Sequence, residues 1–198
     1  VRNDGELVAL TYQREQEVVA WHRHVFGGAF GSGNAVCESV AVIPTEDSEY
    51  ELYMIIKRTI NGATKRYVEY LNTFDFDESD NTSFNFLDSQ LSYSGSAATT
   101  ISGLSHLEGQ SVSILADGAT HPNKTVSSGS ITLDRSATKV KVGLGYTSLL
   151  KTMRIDAGAQ NGTSQAKTKR IYEVTARLYE SVGVEIGPDL SNMERVPF

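Results

Sequence analysis

The chain has 198 residues, with 18 Lys and Arg against 24 Asp and Glu, and its formal net charge is −6. This length fits one domain of ordinary size or two small ones, and such a chain folds without disulfides or metals. The single cysteine excludes an internal disulfide framework, and the acidic balance argues against a basic nucleic-acid footprint. No apolar run approaches the roughly 20 residues of a membrane span, so we expect no membrane insertion.

Alternating hydrophobic residues predict strands rather than helices in the first part of the chain. The predicted strands cover residues 7–12, 18–26, 35–43, 50–59 and 65–71. Asn61-Gly62 lies between the last two and is a strong hairpin signal, because both residues tolerate a positive φ. Short strands separated by turns indicate an antiparallel meander that resembles a propeller blade.

A second β-unit is predicted after an acidic stretch. Residues 75–80 are polar and acidic and indicate a linker or a surface loop. Beyond them the chain is rich in Ser, Thr and Gly, with turn sequences between short strands at 99–101, 111–116, 125–126, 130–133 and 139–144. Five short strands in so few residues predict a small β-barrel.

The last part of the chain is ambiguous between helix and strand. Residues 169–180 fit both spacings, and we favour a strand because Ile171, Tyr172 and Val174 prefer β-structure. The fold prediction is therefore a mainly β protein, with an antiparallel meander sheet and an inserted small β-barrel. The predicted domains are a propeller-like sheet unit (1–88), the barrel insertion (89–148) and returning strands that pair with the first unit (149–198).

Metal-binding patterns are weak in this sequence. His22 and His24 share a strand face and could bind zinc with Cys37 or Glu38, yet no CxxC or HxxxH motif is present. We therefore favour the simpler interpretation that these histidines lie on a strand and make hydrogen bonds. The acidic residues 75–80 alternate as calcium ligands do, but the glycine and the final glutamate of a calcium loop are missing.

Catalytic and phosphate-binding patterns are equally weak. The sequence contains no G-x-S-x-G elbow, and Cys37 lies in an apolar strand, where a buried thiol is usually inert. Residues 27–33 are glycine-rich, yet they lack a lysine and a following helix, so they indicate a flexible turn. We interpret the basic clusters 65–66 and 167–170 as exposed faces of strands rather than as a nucleic-acid-binding site. We predict no catalytic, cofactor-binding or metal-binding residues and therefore no enzyme.

The aromatic residues are predicted to belong to the core. Trp21, Tyr53, Tyr67 and Tyr70 all fall within apolar strands. If Trp21 is buried, its replacement by alanine costs about 3–5 kcal/mol.

Several segments carry a further signal in their order and spacing: 19–24, 38–43, 52–62, 66–71, 87–93, 101–109, 115–118, 142–148 and 169–171. Together they resemble the tail tubular, or nozzle, proteins of short-tailed bacteriophages, which also occur in prophages as tail stabilisation proteins. The resemblance runs from about residue 11 to residue 187. The family's chains are several times longer, and Val1 and Phe198 look like cut ends, so we expect a fragment.

The resemblance implies a structural role. Such proteins form a homo-oligomeric ring at the distal end of the tail, with a propeller-like body and inserted β-domains. The resemblance implies contacts with other tail proteins, release of the genome through the ring without tight DNA binding, and a virion protein made in the bacterial cytoplasm. No catalytic residues or cofactors come with the resemblance. The alternative is a carbohydrate-binding or host-surface adhesion module of a phage tail.

Overall fold

The computed structural model describes residues 1–45, 50–72, 80–153, 168, 170–178 and 183–197. The chain is mainly β, as predicted, with antiparallel sheets, one of which curls into a half-barrel. By its internal contacts it divides into two units, Val1–Leu149 and Leu150–Phe198. Of the predicted acidic loop 75–80, only Asp80 lies within the described residues.

The chain begins with a two-stranded ribbon. Strand β1 (Leu7–Gln13) pairs antiparallel with β2 (Val18–His24), and a 3-10 turn (Arg14–Gln16) joins them. Glu17 closes the turn in the left-handed conformation, with a φ of 53°. We call the ribbon Leu7–His24 the arm, because, among the strands that the structure describes, β1 and β2 pair only with each other.

The first four-stranded sheet contains the predicted meander strands 35–43, 50–59 and 65–71, whereas the predicted strands 7–12 and 18–26 contribute mainly to the arm. It contains β3 (Phe26–Phe30), β4 (Gly33–Pro44), β5 (Tyr50–Ile60) and β6 (Ala63–Tyr70), and neighbours in the sheet are neighbours in sequence. The Asn61-Gly62 hairpin is confirmed, since both residues have a positive φ, 48° and 72°. The predicted single strand 18–26 is wrong, because the chain leaves the arm at His24 and enters the sheet at Phe26.

The glycine pair after Phe26 is not the flexible turn that was predicted. Gly27 and Gly28 lie inside β3, and a Cβ on Gly27 would lie 2.9 Å from the Cβ of Leu144. A Cβ on Gly28 would lie 3.0 Å from the Cδ of Arg58. These glycines therefore allow close packing of β3, and the turn itself falls at Gly31, with a φ of 60°.

The second four-stranded sheet contains fewer and longer strands than predicted. Its order is β7-β10-β8-β9, and the strands are β7 (Asp88–Ser102), β8 (Ser111–Ala116), β9 (Ala119–Thr125) and β10 (Ser130–Leu144). The predicted strands 130–133 and 139–144 are one strand with register shifts against β7. The polar residues between them hid this continuity, because a bulged strand does not alternate regularly. Two 3-10 turns, Asn81–Ser83 and Ser105–Leu107, flank β7.

Each sheet has its own hydrophobic core. The larger core belongs to the second sheet and the segments that connect its strands, and it contains Ile101, Leu104, Leu107, Val112, Ile114, Ala116, Val126, Ile131, Leu133, Ala137, Val140, Val142 and Leu144. The smaller core belongs to the base of the arm and the first sheet, and it contains Leu7, Phe26, Ala35, Cys37, Met54 and Ile56.

Two of the four aromatic residues predicted for the core are exposed. Trp21 is 70% exposed and Tyr70 is 54% exposed, whereas Tyr53 and Tyr67 are half-buried. Alternation along a strand identifies which residues share a face, but it does not say whether another layer covers that face. Trp21 lies on a ribbon that, among the described strands, pairs with no third strand, and its side chain is left exposed.

The second unit has little regular structure in its described residues. Strands β11 (Glu185–Ile186) and β12 (Glu194–Arg195) pair antiparallel. The predicted strand 169–180 is wrong for residues 170–178, which form neither strand nor helix. The three predicted domains, including the pairing of 149–198 with the first unit, stay a prediction.

Candidate functional site

A buried polar seam joins the two four-stranded sheets. The side chain of Arg58, on β5, is fully buried, and its Nε donates to the carbonyl oxygen of Gly27 at 2.8 Å. Its guanidinium also forms a two-pronged ion pair with the carboxylate of Glu69, on β6. The amide of Gly27 in turn donates to Oδ2 of Asp88, on β7, at 2.6 Å. The seam thus connects four strands through one cation, two carboxylates and the backbone N–H and C=O of Gly27.

The electrostatics of the seam favour a structural role. Burial raises the pKa of Asp88, while the amide of Gly27 and the charge of Arg58 pull in the opposite direction. The groups described above bind one another or the backbone of the same chain. A charge can be buried at low cost only where it is paired and hydrogen-bonded, as Arg58 is here. The seam therefore holds the two sheets together through contacts within the chain.

The predicted histidine pair does not assemble a metal site. The rings of His22 and His24 meet edge to face with centroids 4.9 Å apart. Burial, and then the neighbouring His22, lower the pKa of His24. Within the described ranges, no group of three or more His, Cys, Asp and Glu side chains could hold a metal ion. Cys37 is buried, and its pKa is raised chiefly by burial, as expected for an inert thiol.

Asp80, the described member of the acidic loop, is engaged with its own chain. Its carboxylate accepts from the amide of Thr82 at 3.0 Å and from the hydroxyl of Ser83 at 3.0 Å. The ammonium of Lys139, on β10, lies 3.0 Å from the same carboxylate. The hydroxyl of Thr82 also donates to this carboxylate, and its hydrogen bond is the largest cause that lowers the pKa of Asp80, followed by those from Lys139, the amide of Thr82 and Ser83. Asp80 therefore pins the 3-10 turn at 81–83 to the second sheet.

Two depressions mark the surface near β3. One, of about 320 Å³, is lined by residues on either side of Gly27 and Gly145, among them Phe26, Asn34 and Tyr146. The other, of about 270 Å³, is lined by Asp4, Glu6 and His24 among others. Both carboxylates in it are paired with arginines, Asp4 with Arg2 at 2.9 Å and Glu6 with Arg2 at 2.6 Å. Neither depression presents a set of free reactive groups.

The basic pair on β6 lies on an exposed strand, as predicted. Lys65 is exposed, and Arg66 binds Glu38 through two hydrogen bonds of 2.7 and 3.2 Å. The ammonium of Lys57 lies 2.8 Å from the same carboxylate. Glu38 therefore offsets much of the positive charge of this strand face. Of the second cluster, 167–170, Lys167 and Lys169 lie outside the described residues.

Glu38 makes the stability of the first sheet sensitive to acid. Hydrogen bonds from Arg66, and then from Lys57, lower the pKa of Glu38 to about 2. The unfolded value is about 4.3, so the carboxylate stabilises the fold above that pH, and this contribution is lost as the pH falls towards 2. We expect Glu38→Gln to be less stable than the parent at pH 7 and the difference to shrink between these two values. Urea unfolding over a pH series measures it; a difference that does not change with pH would contradict the assignment.

The arm carries an exposed apolar face. Leu10 is paired with Trp21 across the ribbon, and Tyr12 is paired with Val19, so all four side chains point to one side. Trp21, Tyr12 and Val19 are 70%, 63% and 61% exposed. We call these four residues the arm face. The alternation of these residues is visible in the sequence, but their exposure is not. The sequence analysis therefore did not identify the arm face.

We expect Trp21→Ala to leave the stability of the chain in dilute solution almost unchanged. An exposed side chain loses few contacts on truncation, so the change in the free energy of unfolding should stay within about 0.5 kcal/mol. Urea unfolding followed by circular dichroism measures it, with the buried Ile101→Ala as the comparison, for which a loss of about 2–5 kcal/mol is expected. A loss for Trp21→Ala in that same range would mean that the arm face is covered.

Comparisons with known proteins add no relatives. No protein-family model and no curated protein matches the sequence. Among the described residues, no helix has the length and apolar character needed to cross a bilayer. The chain is therefore a mainly β protein in which a buried polar seam joins two sheets and an arm exposes an apolar face.

Proposed function

We propose that the chain is a structural component of a bacteriophage tail, part of a nozzle or tail-tube ring that forms the conduit for DNA ejection. In this role it is not an enzyme, its partners are copies of itself and other tail proteins, and it resides in the virion after synthesis in the bacterial cytoplasm. The observation that carries the proposal is the ordered series of segments between residues 11 and 187 that resembles the nozzle proteins.

Features of the described residues support the proposal. Charged groups of the described residues are engaged in internal contacts, as Arg58, Asp80 and Glu38 illustrate. The buried seam joins two sheets rigidly, which suits a component that bears load during ejection. An exposed apolar face suits a protein that works in an assembly, since large exposed apolar patches mark interaction sites.

The direct test is the presence of the chain in virions. Antibodies raised against the chain should label the tails of phage particles released from the source bacterium, and peptides of the chain should appear in purified, nuclease-treated particles. A matched antibody against a host cytoplasmic protein controls for carry-over. Particles that contain other tail proteins but no peptide of this chain would contradict the proposal.

We expect the chain to bind duplex DNA poorly. Phosphate attraction to Lys and Arg dominates non-specific affinity, and the chain has a net charge of −6. Fluorescence anisotropy with a labelled duplex at about 50 mM salt should show no submicromolar binding, since non-specific binders reach about 10⁻⁴–10⁻⁶ M even at physiological salt. Submicromolar affinity would contradict a conduit that releases DNA.

A carbohydrate-binding or host-surface adhesion module is the second candidate function, and the exposure of the arm face favours it. Sugar platforms expose tryptophan or tyrosine, and Trp21 and Tyr12 lie diagonally across the ribbon on one side. A glycan array distinguishes the candidates: reproducible binding by the parent chain that is lost in Trp21→Ala supports adhesion. Absence of binding across host envelope glycans leaves the structural role as the better account.

A further inference from the structure

The arm is a two-stranded ribbon that is largely exposed to water. Beyond its base, residues on both of its sides are exposed, as Thr11 and Ala20 on one side and Tyr12 and Val19 on the other show. In the sheets formed by the described residues, neither β1 nor β2 pairs with a third strand. A two-stranded ribbon alone is marginally stable, and it usually needs another layer on one side.

The first sheet carries a second exposed apolar surface. Tyr53 is paired with Tyr70, and Ile55 is paired with Val68, so these side chains share one side of the sheet, where Ile43 also lies. Val68 is 73% exposed, and Ile43, Ile55 and Tyr70 are exposed as well. We call these five residues the sheet face. The opposite side of the same strands contains the buried Met54 and Ile56.

We propose that the arm face of one copy of the chain docks on the sheet face of a second copy. The proposal deepens the proposed function, because it rests on the chain forming a ring and names the two surfaces that meet. One such head-to-tail contact covers both the arm face and the sheet face. A symmetric contact between two arm faces would leave the sheet face uncovered.

The surroundings of the two surfaces fit a contact between copies. The arm face is bordered by Arg23, 3.3 Å from Glu6, and by the charged turn at Arg14. The sheet face is bordered by Glu51 at one end and by the Glu38 cluster at the other. Both surfaces therefore have an apolar centre and a rim that carries both signs of charge, which is the usual anatomy of a protein interface. Trp21, at the centre of the arm face, has the side chain most often found to dominate such contacts.

Head-to-tail contacts have a geometric consequence. Because the two surfaces differ, an open assembly keeps a free arm face on the copy at one end and a free sheet face on the copy at the other. Such a contact adds copies until a rotation closes a ring, or else produces an open filament. The chain should therefore form a series of oligomers rather than stop at a dimer.

The sole tryptophan of the chain makes the contact directly observable. Sedimentation velocity from about 1 μM to 1 mM should show the parent chain growing beyond a dimer, while the Trp21 emission shifts to the blue as the indole leaves water. Val68→Glu keeps Trp21 but places a charge in the sheet face, so it should lower the association constant at least about tenfold and abolish the spectral shift. Lys65→Glu, on the opposite side of the same strand, is the matched control and should assemble as the parent does.

A mixing experiment separates the proposed contact from its symmetric alternative. Trp21→Glu and Val68→Glu should each be monomeric alone, and together they should form a one-to-one dimer through the single intact arm and intact sheet face. Circular dichroism and thermal unfolding confirm that both variants are folded. A doubly substituted chain should remain monomeric with either partner.

The remaining outcomes overturn the proposal in distinguishable ways. Growth of Val68→Glu to the parent's size would mean that copies meet elsewhere, and the proposed tail role would survive. Dimers of Val68→Glu that Trp21→Glu abolishes would assign the arm face to a symmetric contact. A parent chain that remains monomeric throughout, with Trp21 in water, would exclude docking between copies, and labelling of virion tails would still decide the proposed function.

Discussion

Replacing Glu69 with glutamine should lower the free energy of unfolding by about 3–5 kcal/mol, because the fully buried Arg58 would lose its counter-charge. The substitution preserves the size of the side chain, so the loss reports charge rather than packing. The effect should be global, since Arg58 also holds the carbonyl of Gly27 at the seam between the sheets. Urea unfolding of the parent and the variant, followed by circular dichroism, measures the difference.

A double substitution provides the control for this prediction. Arg58→Met alone should also destabilise the chain, because it leaves the carboxylate of Glu69 and the carbonyl of Gly27 without their donor. Arg58→Met combined with Glu69→Gln removes both charges, so neither member of the pair is left as an uncompensated buried charge. The double variant should therefore be more stable than the sum of the single effects allows. Purely additive losses would show that the pair is not coupled.

Leu107→Ala should cost about 2–5 kcal/mol, because Leu107 is fully buried in the larger core and its truncation leaves a cavity. Leu107 belongs to the 3-10 turn between β7 and β8, so the result also tests whether this connection closes the core. The midpoint of urea unfolding should fall while the slope stays the same.

Leu149→Ala is the matched control for the cavity. Leu149 is 55% exposed, so the same chemical change there should alter the free energy of unfolding by no more than about 0.5 kcal/mol. A loss at Leu107 as small as the one expected at Leu149 would mean that the turn at Leu107 does not contribute to the core.

Local signals in the sequence were sufficient for the hairpins and most strands. Asn61-Gly62 predicted its turn because the backbone conformation of a two-residue loop is decided by the loop residues themselves. Alternation likewise placed β4, β5 and β6 to within a few residues. In contrast, residues 130–144 were divided into two strands, because the register shifts of β10 depend on its partner β7 and not on its own composition.

The candidate surfaces could not be predicted from the sequence, because the exposure of a side chain depends on whether another part of the fold covers its side of the strand. Trp21 and Ile56 both lie in apolar strands, yet Trp21 projects from a two-stranded ribbon and Ile56 lies in the core of the first sheet. The glycines of β3 were assigned to a turn for the same reason. Their function is to let Leu144 approach, and Leu144 is more than a hundred residues away in sequence.

The sequence by itself determined that this protein is mainly β, where its tight turns lie, and which residues alternate on each strand, because these properties depend on backbone preferences and on nearest neighbours. Only the tertiary structure decided that Arg58, Gly27, Glu69 and Asp88 form one buried seam and that the arm face is open to water. Burial and ion pairing depend on which strands pack together, and that packing is determined by contacts between residues far apart in the chain.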